Sequence, residues 1–167
     1  MAFSVFAIFK GCTPLVAGLE LPACPPDTSI SCRSNEYWCE LPDGRKHGFS
    51  LHLFPAGEKF VSLSYSYGKR HGWWKRWDSQ GRKVRDGFYS QGGKEGYWKG
   101  WYPNGQQYYL HQYRAGARQG KWVRWTSDGR LDAEGFYDNN IKAGTWTERD
   151  EKGNLVKTKY SDMAQVE

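Results

Sequence analysis

The chain has 167 residues, room for one ordinary domain, and its 28 aromatic residues (8 Phe, 9 Trp, 11 Tyr) outnumber its 20 Leu, Ile and Val. So few aliphatics, with a formal net charge of +6, would alone describe a disordered chain, but nine tryptophans supply large amphipathic rings that bury area without an aliphatic core. Twenty glycines and seven prolines exclude a multi-helix bundle, and the length disfavours a large two-domain enzyme.

Residues 1–23 form an apolar leader. Ala2 to Phe9 is too short to span a bilayer, and Lys10 separates it from a second apolar stretch, Pro14 to Leu19. The segment reads as a candidate secretory signal or lipoprotein leader, although no basic residues precede it. Cys12 follows Gly11 but has Lys10 where lipidation motifs take a small residue, and Cys24 follows Leu21-Pro22-Ala23 with Glu20 breaking the apolar run. Export or attachment to a bacterial cell envelope is favoured over a cytoplasmic location; the alternative reading of the segment is a mis-assigned start or a tail that folds onto the domain.

Residues 24–46 form a cysteine-containing N-terminal cap. All four cysteines, Cys12, Cys24, Cys32 and Cys39, precede residue 40, which fits a local disulfide cap in an oxidising compartment, with reduced thiols as the alternative. A metal site is disfavoured: seven and six residues separate Cys24, Cys32 and Cys39, and there is no Cys-x-x-Cys. The charge lies beyond this cap, with 20 basic against 13 acidic residues after residue 46.

From residue 47 the chain repeats. Glycines recur at 48, 72, 96, 120 and 144, and again at 57, 81, 105, 129 and 153, both with a period of 24. Trp74, Trp98, Trp122 and Trp146 stand two residues after the first glycine, and Trp77, Trp101 and Trp125 five after it. Tyr65, Tyr89, Tyr113 and Tyr137 stand seventeen after it. Five units follow, 47–70, 71–94, 95–118, 119–142 and 143–161, with 162–167 as a tail; the first and last are degenerate, as terminal caps of a stack are. Turn sequences such as Pro103-Asn104-Gly105 and Ser127-Asp128-Gly129 between aromatic runs make each unit a β-hairpin. The fold class is all-β: an elongated, twisted single antiparallel sheet of stacked 24-residue hairpins, about 50 Å long at roughly 4.8 Å per strand. Because the two Trp positions are three apart, either both faces carry aromatics or a bulge intervenes.

The line Gly96-Tyr97-Trp98-Lys99-Gly100-Trp101-Tyr102-Pro103-Asn104-Gly105 resembles the variant MORN repeat of bacterial YwqK-like antitoxin proteins, over residues 47 to about 161. That resemblance implies an open sheet without intrinsic catalysis, acting on a partner protein, a toxin in the antitoxin case. The N-terminal segment, Cys24-Pro25-Pro26 leading to Tyr37-Trp38-Cys39, is similar to that of exported members, where a cysteine pair staples the chain to the first hairpin. It implies a Cys24–Cys39 disulfide, and Cys32 departs from the pattern.

Two residue sets are candidates for binding. Lys46, Arg70, Lys94, Arg118 and Lys142 each precede a repeat glycine by two residues and form a basic row suited to an acidic partner protein or an anionic membrane surface. Nucleic acid is the weaker ligand, because acidic residues such as Asp78, Asp86, Asp128 and Glu134 interrupt any broad positive face. The same row also serves solubility and guards edges. Most in-register rings are expected to hold neighbouring units together, so the off-register aromatics Trp73, Tyr97, Tyr102, Tyr108 and Tyr109 are the better candidates for partner contact.

No nucleophile elbow, phosphate loop or convergent acid–base set breaks the repeat. The expected function is therefore a non-enzymatic protein-binding module without cofactor or metal. The alternative is an envelope-associated protein contacting anionic lipid or polysaccharide.

Overall fold

A computed structural model describes residues 21–160. The leader up to residue 20, with Cys12, and the tail after residue 160 lie outside the described residues. Thirteen strands make one open antiparallel sheet. Two precede the repeats, β1 (Ser29–Arg33) and β2 (Glu36–Glu40). The first unit supplies β3 (Lys46–Leu53) and β4 (Lys59–Ser66). It ends on β5 (Lys69–Arg70), and the second supplies β6 (Gly72–Trp77) and β7 (Lys83–Ser90). The remaining units supply β8 (Gly93–Trp101) with β9 (Gln107–Arg114), β10 (Ala117–Trp125) with β11 (Leu131–Asp138), and β12 (Ile141–Arg149) with β13 (Leu155–Tyr160). Strands pair in chain order, and β5 is a short segment that pairs β4 just before β6 does.

Two kinds of turn alternate. The second glycine series closes each hairpin: Gly81, Gly105 and Gly129 have φ of +75°, +85° and +85° and donate N–H to Asp78, Tyr102 and Thr126. Each of these turns is followed by a one-residue register shift: after Gly129, Leu131 pairs with Trp125 but Ala133 with Arg124, leaving Asp132 as the extra residue. Between successive hairpins the turns are two-residue links with positive φ at both positions, Tyr67-Gly68, Gln91-Gly92, Ala115-Gly116 and Asn139-Asn140, which match the twist of the flanking strands.

The first glycine series does something else. Phe88 pairs with Glu95 while Asp86 pairs with Lys99, so three residues of β8 lie opposite one of β7. The same excess appears between β9 and β10 and between β11 and β12. Gly96, Gly120 and Gly144 sit in these bulges with φ of +65°, +84° and +63°.

The question of the two Trp positions is thereby answered: the repeat contains bulges, and both faces carry rings. Trp74, Trp98, Trp122 and Trp146 stand on one face, the ladder face. Trp77 lines a depression on the other, outer face with Trp73, Lys75 and Ser62. On the ladder face Trp98 stacks on Trp74 at 5.3 Å and meets Tyr89 edge-on at 4.9 Å. Trp122, Tyr137 and Trp146 continue the contact at 5.0 and 4.9 Å. Trp98 and Trp146 are only 3% and 2% exposed, so rings replace the missing aliphatic core.

A small apolar core closes the N-terminal end, where Tyr37, Leu51 and Leu53 pack with Leu21, Cys32 and Phe49. Cys24 and Cys39 form a disulfide across it. Cys32 is disulfide-bonded as well.

Candidate binding surfaces

The basic row lies within the ladder rather than beside it. Tyr89 pairs across the strands with Lys94, Tyr113 with Arg118 and Tyr137 with Lys142. These cations reach over rings of the following unit: Arg70 lies 4.4 Å from the Tyr89 centroid, Lys94 4.5 and 4.7 Å from Trp98 and Tyr113, and Arg118 4.3 Å from Tyr137. Lys142 lies 4.3 Å from Trp146, and Lys46 4.5 Å from Trp38. Arg70 and Arg118 also donate Nη1–H to the hydroxyls of Tyr89 and Tyr137, both at 3.0 Å. Cation–π contact and hydrogen bond together tie successive units.

The row is neutralised unevenly. At its ends Lys46 pairs with Glu36 and Lys142 with Glu148 at 2.7 Å. Burial opposes the charge on Lys142, but hydrogen bonds to Glu148 and Tyr160 outweigh it and raise its pKa. In the middle, burial together with Arg85 and Arg70 lowers the pKa of Lys94. Among the described residues, Arg70, Lys94 and Arg118 make no ion pair with a carboxylate.

The off-register aromatics divide. Trp73 is 60% and Tyr97 49% exposed, both on the outer face. Trp73 meets Phe88 edge-on at 5.6 Å. With Tyr97, Lys99, Asp86 and Glu95 these two rings line a shallow depression of roughly 340 Å³. Trp73 also borders the depression toward Phe49, Lys75 and Trp77 and so forms the ridge between the two. Tyr102 and Tyr108 meet edge-on at 5.0 Å near the hairpin end, where the Tyr102 hydroxyl donates to the Trp125 carbonyl at 3.1 Å. Tyr109 belongs to the ladder face, stacked on His111 at 4.3 Å, and burial raises its pKa.

Sequence reasoning passed over three cations on the ladder face, Arg76, Arg85 and Arg124. Their signal was present: Arg76 and Arg124 both stand four residues after a repeat glycine. His111 reads from the sequence as an isolated histidine, although it stands where Gly87 and Gly135 stand in the neighbouring units. Among the described residues, no cluster of three or more His, Cys, Asp or Glu could hold a metal ion.

No family model matches the chain, and no curated protein matches it. Among solved structures it is similar to a GtfA/B complex bound to UDP and GlcNAc, at 12% identity and a TM-score of 0.29. The match covers 84% of this chain and spans a quarter (25%) of that one, a likeness too slight to carry an argument.

Proposed function

We propose that the chain is a non-enzymatic binding module for another protein, antitoxin-like by its resemblance to variant MORN repeats, with the outer face of the central units as its contact surface. The observation that carries this reading is the unequal use of rings on the two faces. On the ladder face, rings bury one another and are capped by cations. On the outer face, Trp73, Tyr97 and Phe136 remain exposed, Phe136 at 56%. Large exposed rings beside mixed charge, here Lys75, Lys99, Asp86 and Glu95, are typical anchors of protein interfaces.

The test is co-purification from the source cell with tagged wild-type chain and with the double variant Trp73→Ala/Tyr97→Ala. A single stoichiometric protein retained by the wild type and lost by the folded variant supports the reading. Equal retention by both removes the outer face from it.

A further inference from the structure

A row of directly paired residues crosses the ladder face: Arg76 opposite Arg85, Arg85 opposite Gly100, Gly100 opposite Tyr109, Tyr109 opposite Arg124. Gly100 leaves room that the Tyr109 ring fills, since a Cβ there would stand 2.3 Å from Tyr109 Cε1. Two guanidinium-bearing strand positions therefore face each other directly, with a third beyond the tyrosine. Arg70, Lys94 and Arg118 run alongside. Among the described residues, Arg124 alone of these six cations has a carboxylate within ion-pair distance, Asp132 at 3.1 Å. Like charges directly opposite on adjacent strands are destabilising. The Nε–H groups of Arg76 and Arg124 are buried without an acceptor, which adds a further cost.

The end units show how the repeat avoids this cost. Glu148 occupies in the fifth unit the position that Arg76 and Arg124 occupy in the second and fourth, and it binds Lys142. Glu36 does the same for Lys46. The second and fourth units keep Arg76 and Arg124 there, and of these two Arg124 alone is paired among the described residues, with Asp132.

We propose that the ladder face of the three central units binds an acidic polypeptide segment of a partner, its carboxylates seated on Arg76, Arg85 and Arg124 and flanked by Arg70, Lys94 and Arg118. Guanidinium groups accept carboxylates through two parallel hydrogen bonds, so three forks and three further cations suit a segment with several Asp or Glu. Single-stranded nucleic acid fits less well, because it needs ring faces on which bases stack. Trp98 and Tyr89 are buried, and cations already cover Trp98, Tyr113 and Tyr137. The proposal holds whether or not Trp73 and Tyr97 meet a partner on the opposite face.

Fluorescence anisotropy with the full chain tests it, using a labelled peptide of alternating Glu and Ser as probe. Its Gln-for-Glu counterpart, an oligothymidylate and anionic phosphatidylserine vesicles serve as competitors. The expected result is binding of the acidic peptide that weakens with salt. Binding should also weaken about tenfold or more in Arg76→Gln/Arg85→Gln and stay unchanged in Lys157→Gln, an exposed position on the terminal strand β13. Arg85 is exposed, so Arg85→Gln alone serves if the double variant does not fold, and it should melt no lower than wild type because it removes a like-charge pair. Absence of peptide binding at low salt, binding indifferent to Arg85→Gln, or stronger competition by oligothymidylate or vesicles than by unlabelled acidic peptide would overturn it.

Discussion

His111 lies flat on Trp122, the ring centroids 3.2 Å apart and the planes within 5° of parallel. In the units on either side the same position is glycine, and the Trp of the following unit rests directly on its backbone. A Cβ on Gly87 would stand 2.2 Å from Trp98 Cδ2, and one on Gly135 2.3 Å from Trp146 Cδ2. In those two units the indole also donates to a backbone carbonyl, Trp98 to Phe88 at 3.2 Å and Trp146 to Phe136 at 2.9 Å. The repeat thus has two solutions at one place: a bare backbone under an indole, or an imidazole stacked against it.

Where the bare backbone is used, even one methyl group should be harmful. Gly135→Ala forces the Trp146 ring off its seat, and overpacking of this kind costs about 1–3 kcal/mol. The expected result is a melting temperature lower by roughly 2–4 °C for each kcal/mol lost, read by circular dichroism, with weakened protection of the Phe136 carbonyl's partner, the Trp146 indole N–H, in hydrogen exchange.

Where imidazole is used, stability should depend on pH. Burial, with Arg124, Lys94 and Arg118 nearby, lowers the His111 pKa to about 3, whereas an unfolded chain holds it near 6.5, about the usual histidine value. The unfolded state therefore binds the extra proton. Stability is complete above about pH 6.5 and is lost progressively as pH falls toward 3. Burial also lowers the pKa of His52, against the pull of Glu36, and acts in the same direction. Urea unfolding at pH 7 and pH 5, a window in which ordinary carboxylates stay largely ionised, should show a drop in midpoint for wild type. That drop should shrink by at least about half in His111→Gly, which restores the residue used at Gly87 and Gly135.

The N-terminal disulfide should act locally. Cys24 and Cys39 are 15 residues apart, and closing a loop of that length contributes about 3 kcal/mol in the chain-entropy account. Since each unit touches only its neighbours, Cys24→Ser/Cys39→Ser should lower hydrogen-exchange protection in β2 and β3 and leave β10 to β12 unchanged. Uniform loss of protection along the sheet would show that the units are coupled more tightly than nearest-neighbour stacking allows.

The period of 24, the hairpins and the chain-order sheet were legible because glycine is needed wherever φ is positive, and Gly81, Gly105 and Gly129 mark those turns directly. Asn139-Asn140 adopts the same link as Gln91-Gly92 without glycine and leaves no such mark. The two faces were less legible. Alternation fails at Gly96, Gly120 and Gly144, where bulges place three residues opposite one, so strand parity cannot be carried through the unit by counting. The basic row was visible as a spacing, but its engagement with Tyr89, Tyr113 and Tyr137 depends on cross-strand register. The alignment of Arg76, Arg85 and Arg124 depends on four successive pairings that no single unit contains.

The central claim is that rings on one face hold the sheet together while rings on the other stay free for a partner. Hydroxyl-radical labelling of the folded chain, read residue by residue by mass spectrometry, tests this most directly. The account predicts fast oxidation of Trp73, Tyr97 and Phe136 and at least about tenfold slower oxidation of Trp98, Trp146 and Tyr137, in line with their burial. Comparable rates for Trp73 and Trp98 would contradict it.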